Sequence, residues 1–241
     1  METQMNVSGT GQQASLGTSA PSAIPNLSAE RRLVQRVFDR CDEAIREACA
    51  NSSVPAEFLG ALAANESSGC GDARRFEPAV YRHLQAVAAG GSPSYGSINL
   101  ANLRDEIAEQ LPAGDATLHA RYMTRGFAAI HSGEIAKATD AALRELATSW
   151  GYTQIMGYHM VGRPGDVRQL LDPSFHFRMA VWLLSEFALD FHLDLDRDFE
   201  PLFRCWNTGG PRGRTYDPGY VENGLRRMQI YRQLRPIQPA G

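Results

Sequence analysis

A mainly α-helical fold with one sizeable domain is what the 241-residue sequence predicts. Apolar residues recur at three- and four-residue intervals through most of the chain, the period of an amphipathic helix. No alternation of apolar and polar residues lasts long enough to build a major sheet, although the loops leave room for a small hairpin. With 43% hydrophobic and 21% charged residues, the composition is that of a globular protein able to bury a substantial core.

Residues 1–28 are rich in Ser, Gly, Thr and Gln and read as a disordered tail, because they offer little apolar surface against the entropy of ordering. The folded domain is expected over residues 29–236, with a short tail at 237–241. Ser28 suits an N-cap for a first helix, in which Leu33, Val37, Cys41, Ala44 and Ala48 recur at helical spacing. Pro55 suits the first turn of a second helix, AEFLGALAANES. The loop SGCGDARR leads to a helix over about 78–88, and GGSPSYGSIN supplies turn chemistry before helices at about 100–111, 115–131 and 134–148. WGYTQIMGYHMVGRPG then breaks the helical period with glycines. A short helix near 166–171 precedes a long one over about 174–192, begun by Pro173. The loop NTGGPRGRTYDP separates two last helices, about 198–206 and 218–234.

A net charge of −3 argues against a general nucleic-acid binder, which needs a basic excess. Basic charge is uneven, however. Between Arg204 and Arg235 stand seven arginines against only Asp217 and Glu222, which reads either as a face for an anionic polymer or as a solvated basic surface. Four scattered cysteines are no disulfide scaffold; Cys41 and Cys49 read as small buried apolar residues. The six histidines show no metal-ligand spacing, and neither metal nor cofactor is assigned. Asp194, Asp196 and Asp198 match the start of a calcium loop, but Phe199 and Cys205 stand where it needs Gly and Glu, so a helix-capping segment is the better reading. MAVWLLSEFALDFHL is interrupted by Glu186 and Asp190 and predicts no stable membrane insertion. The N-terminus lacks a secretory pattern, so synthesis in the cytoplasm without a signal peptide is expected.

The stretch ALAANESSGCGDARRFEPAVY carries the chemistry. Leu59, Leu62 and Glu66 fall at i, i+3 and i+7, placing a carboxylate on the stripe that the leucines bury and in the last helical turn. Desolvation and the negative helix end both disfavour its ionised form. A carboxylic acid kept neutral can protonate a leaving oxygen, and Ser67, Ser68, Gly69 and Gly71 leave room for a ligand beside it. Glu77 is the best local candidate for a second carboxylate, with Asp72 behind it; either could position or activate water.

Three separated stretches, ESSG at 66–69, WGYTQIMG at 150–157 and CWNTGGP at 205–211 followed by Tyr220-Val221, resemble in order the motifs of the lysozyme-like superfamily. With FEPAVYRHL, the wording is most similar to N-acetylmuramidase domains of phage-endolysin type, related to goose-type lysozymes and soluble lytic transglycosylases. The resemblance implies a lysozyme-like multi-helix domain with a cleft, acting on the β-1,4 link between N-acetylmuramic acid and N-acetylglucosamine in peptidoglycan. Glu66 would be its general acid. Ser67, Tyr152, Gln154 and Met156 would line the saccharide groove, Asn207 behind Trp206 would hold the sugar N-acetyl group or the backbone near the acid, and Tyr220 would close that side. Tyr152 and Cys205 depart from the residues usual at their places, the segment from Leu84 to Leu111 is divergent, and the chain is slightly acidic.

Water as the nucleophile would make the enzyme a hydrolase; attack by the sugar 6-hydroxyl would make it a lytic transglycosylase with an anhydro product. A non-catalytic glycan-binding module and a helical interaction protein are the alternatives of other classes. Peptidoglycan lies outside the membrane, so the resemblance further implies release to the wall or periplasm through a holin or an export machinery.

Overall fold

The computed structural model describes residues 27–110 and 132–235. The helix expected at 115–131, the C-terminal tail and most of the N-terminal tail lie outside the described residues. The chain is mainly helical, with two small antiparallel sheets. Helix α1 (Leu27–Cys49) begins one residue before Ser28, so Ser28 lies inside it rather than capping it. Its buried face is Val34, Val37, Cys41 and Ile45, a helical stripe centred one residue from the expected one.

Helix α2 (Ala56–Glu66) starts after Pro55, which occupies the N-cap rather than the first turn. It shows no narrow stripe: Phe58 through Ala64 are all buried, and only its last turn reaches the surface. A helix apolar on all sides belongs at the centre of the core. Helices α3 (Pro78–Ala88) and α4 (Leu100–Glu109) follow, with α5 (Ser132–Leu146) packed on both. The long α6 (Pro173–Phe191) carries Pro at N1 and Asp172 as its N-cap, whose carboxylate accepts from the Phe175 amide at 2.8 Å. Helices α7 (Phe199–Thr208) and α8 (Tyr220–Leu234) complete the eight among the described residues.

α2 lies between α1 and α8. The crossing with α8 is close because Gly60 faces the Tyr231 ring; a Cβ there would sit 2.2 Å from a ring carbon. Glu30 of α1, only 8% exposed, ties the same layers together. Arg226 bonds both of its oxygens, at 2.6 and 3.0 Å, and Arg227 adds a third bond at 3.2 Å. Those charge-assisted bonds hold the Glu30 carboxyl below its usual range against the opposing effect of burial.

The glycine-rich segment after α5 is not the irregular loop that its broken period suggests. β4 (Thr148–Trp150) pairs antiparallel with β1 (Arg74–Phe76) on one side and with β5 (Ile155–Met156) on the other. The register sets Arg74 opposite Trp150 and Trp150 opposite Ile155. Strands of two or three residues are too short to show a period, which is why the sequence pattern missed them. GGSPSYGSIN does form a hairpin, β2 (Ser94–Tyr95) with β3 (Ile98–Asn99). Single turns of 3₁₀-helix follow at Gly157–Met160 and Val167–Leu171. No helix among the described residues is long and apolar enough to cross a membrane.

Candidate functional site

Glu66 ends α2 where the chain must leave the core. Ser68 and Gly69 take left-handed conformations, φ 57° and 77°, and the Gly69 amide closes the helix on the Ala63 carbonyl at 3.2 Å. Two of the small residues after Glu66 serve packing, while Ser68 is exposed. Gly69 is buried against Val37, where a Cβ would come within 2.8 Å of its side chain, and Gly71 faces the Tyr152 ring at 2.5 Å in the same sense.

The Glu66 carboxyl itself is half-buried and receives a short hydrogen bond from the Tyr220 hydroxyl at the start of α8. Burial pushes its pKa up, opposed by the Tyr220 bond and by the positive charge of Arg75. Tyr220 is in turn raised well above the usual phenol range, first by burial and then by the Glu66 charge. Its placement is fixed from behind: Asn65 donates to the Tyr220 carbonyl at 3.0 Å and accepts from Arg227 at 2.6 Å.

No hydrogen bond joins Glu77 to Glu66. Glu77 stands at the N-cap of α3, ion-paired to Arg75 at 2.6 Å, so one guanidinium lies within electrostatic reach of both carboxyls. Asp72 is exposed and accepts from the Cys70 thiol at 2.9 Å; nothing links it to Glu66.

The turn Gly151–Gln154, between β4 and β5, joins this dyad to the rest of the motif residues. Ser67 donates to the Tyr152 carbonyl at 2.7 Å, binding the end of α2 to the turn. Trp206 of α7 donates its indole N–H to the Thr153 carbonyl at 2.9 Å. The Thr153 amide and hydroxyl both meet His176 Nε2, at 2.9 and 2.8 Å, while His176 Nδ1 contacts the Leu170 carbonyl at 2.8 Å. An amide that can only donate makes Nε2 the acceptor, so the proton sits on Nδ1 and the ring is neutral. Burial agrees, pushing the His176 pKa down to about 4.

Gln154 has a left-handed backbone, φ 56°, and a side chain fully engaged with protein. Its Nε2 donates to the Ala73 and Gly151 carbonyls at 3.2 and 2.8 Å, and its Oε1 accepts from Ser149 at 2.8 Å. An amide with both donors committed shapes the loop and has little left for a ligand. Tyr152 likewise turns away from the expected groove, packing on Phe177 and His176 with ring centroids 5.2 and 5.6 Å apart.

A pocket of about 480 Å³ opens between the β2–β3 hairpin, β5 with its 3₁₀ turn, and the end of α7. Gln154, Met156, Trp206 and Asn207 contribute to its wall; Tyr152, Ser67, Glu66 and Tyr220 do not. Asn207 is exposed, and its amide bonds nothing among the described residues. Tyr95, Tyr158 and His159, which no sequence pattern singles out, add flat surfaces to the wall. Tyr95 meets Tyr158 edge-on at 5.6 Å, and His83 stacks on Tyr95 at 5.1 Å. No family model, curated protein or solved structure matches this chain. Chemically, the arrangement offers a proton donor at Glu66 and, beyond the Gly151–Gln154 turn, an aromatic pocket with one free amide. Ring faces and a directional amide are what a pyranose with an N-acetyl group requires. The four cysteines are free thiols, and no metal-binding group of His, Cys, Asp or Glu occurs among the described residues.

Proposed function

We propose that the chain is a peptidoglycan-degrading glycosidase of lysozyme-like type, an N-acetylmuramidase in which Glu66 is the general acid. The observation that carries the reading is the Glu66 carboxyl at the end of the central helix, raised in pKa by burial and held by Tyr220. The order of the three motifs along the chain supports it. In the reaction, protonated Glu66 gives its proton to the glycosidic oxygen as the bond to the anomeric carbon breaks. Among the described residues, nothing joins Glu77 to Glu66 except the Arg75 side chain between them, so a route with one carboxylate is the simpler one. The 2-acetamido oxygen of the muramic acid closes on its own anomeric carbon as that bond breaks, and water, returning a proton to the Glu66 carboxylate, opens the ring to a reducing end. If the sugar 6-hydroxyl opens it instead, the product is an anhydro-muropeptide and the enzyme a lytic transglycosylase.

Glu66→Gln keeps the shape and an acceptor for Tyr220 but removes the proton. Clearing of purified sacculi should fall by at least about 100-fold. Clearing at the wild-type rate would remove Glu66 from the chemistry. Mass spectrometry of the released muropeptides separates reducing from anhydro ends. A second reading, a peptidoglycan-binding module without catalysis, draws on the absence of Glu66 and Tyr220 from the pocket wall. It expects glycan retention with no released product from either form.

A further inference from the structure

The basic excess near the C-terminus resolves into two populations. The arginines of α8 are occupied: Arg226 and Arg227 by Glu30, Arg232 by Glu57 at 2.8 Å, and Arg235 near Glu57 and Asp42 at 3.8 and 3.9 Å. Arg204 leans on the Gly213 carbonyl at 3.4 Å. Arg212 and Arg214 are different. Both are exposed and neither pairs with any described residue, while Tyr216 beyond them is fully exposed.

Between these three outward side chains the loop is braced. Gly213 lies on Thr208, where a Cβ would clash at 1.7 Å, and its amide donates to the Gly210 carbonyl at 3.1 Å. Thr215 is buried and donates to the Asp217 carbonyl at 2.8 Å. The one carboxylate of the loop, Asp217, is turned to the Gly219 amide at 2.8 Å. The loop backbone is therefore braced, while its two guanidinium groups and its phenol are exposed. It runs from Gly209 on the pocket wall to Tyr220 on the Glu66 carboxyl, so it borders both parts of the candidate site.

We infer that residues 210–219 form a second binding element, in which Arg212 and Arg214 take the carboxylates of the peptides attached to the glycan strand. The inference rests on the glycan reading above and adds what that reading lacks, a partner for two unpaired cations. The sugar backbone is neutral and gives them nothing to pair with. The lactyl-linked peptides on alternate sugars end in carboxylates, which match the planar fork of a guanidinium. A chain of net charge −3 meeting an anionic wall also needs its positive charge concentrated at the contact.

Co-sedimentation of the full chain carrying Glu66→Gln separates binding from turnover. The probes are intact sacculi and the same sacculi with their peptide carboxylates capped as neutral methylamides by carbodiimide coupling. Adding Arg212→Gln and Arg214→Gln should weaken retention on intact sacculi about threefold to tenfold and on the capped sacculi less than twofold. Lys at both positions should restore part of the loss. Equal weakening on both substrates, no weakening, or no retention on intact sacculi overturns the inference. So does a loss that disappears when phosphodiester polymers alone are extracted, which would make those the partner. If the wild-type chain releases no product but its retention depends on the two arginines, the general-acid reading fails and this one stands. If product is released and retention is independent of the arginines, the general-acid reading stands and this one fails.

Discussion

At the scale of single residues, the Glu66–Tyr220 pair sets the pH behaviour of the proposed reaction. The acid form of Glu66 is the active one, so activity should fall as pH rises through its raised pKa. The Tyr220 hydroxyl stabilises the ionised form, and Tyr220→Phe removes that help. The alkaline limb of the pH–rate profile should then move to higher pH; a limb moving to lower pH would mean that Tyr220 serves the acid form instead. Glu66 was legible in the sequence because a carboxylate ending an apolar run is conspicuous. The commitment of Gln154 was not, since its partners Ala73 and Ser149 reach it only through the β1–β4–β5 sheet. Residue type announced an amide at that place but could not say whether it faces sugar or backbone.

At the scale of elements, the turn Gly151–Gln154 carries more structure than its length suggests. Gly151 holds φ 69°, and a Cβ there would lie 2.4 Å from the Leu170 carbonyl and 2.7 Å from His176 Nδ1. Gly151→Ala should cost roughly 2–4 kcal/mol, combining backbone strain with overpacking. A urea midpoint lowered at unchanged slope would show it. A midpoint equal to the wild type would mean the turn yields more freely than its contacts imply. The long helices were readable because α6 and α8 repeat their period over many turns. The short helix expected near 166–171 is the 3₁₀ stretch Val167–Leu171, but the β1–β4–β5 sheet and the 3₁₀ turn Gly157–Met160 were not readable, because two to four residues carry no period and their glycines read only as breaks. Tyr95 and Tyr158 escaped notice for the same reason, lying in or beside such short pieces.

For the molecule as a whole, a buried neutral histidine ties stability to pH. Burial lowers the fully buried His176 from its ordinary 6.5 to about 4, and desolvation lowers the half-buried His159 on the pocket wall in the same direction. The unfolded chain then takes up protons first as pH falls, so this contribution is full above about pH 6.5 and is lost between 6.5 and 4. His176 alone accounts for up to roughly 3 kcal/mol. Glu30, lowered by its arginines, adds to the loss on the acid side. Glu66, raised by burial, and Glu106, raised to about 7 by burial and then by the Glu109 charge, act oppositely, with stability lost as pH rises. In a Glu66→Gln, Glu106→Gln chain, which lacks both opposing carboxyls, thermal midpoints should be level above pH 6.5 and decline towards pH 4; a rise over that interval would contradict the burial of the His176 ring.

The hydrogen bonds gathered on the Gly151–Gln154 turn come from Ser67, Ala73, His176 and Trp206, distant points of the chain. A nascent polypeptide emerging from the ribosome owns the carboxyl of Glu66 long before it owns the indole that completes this knot, and longer still before Tyr220. Assembly of the working parts is thereby postponed to the last stages of maturation, so that fragments left by premature termination or proteolysis would be inert by construction.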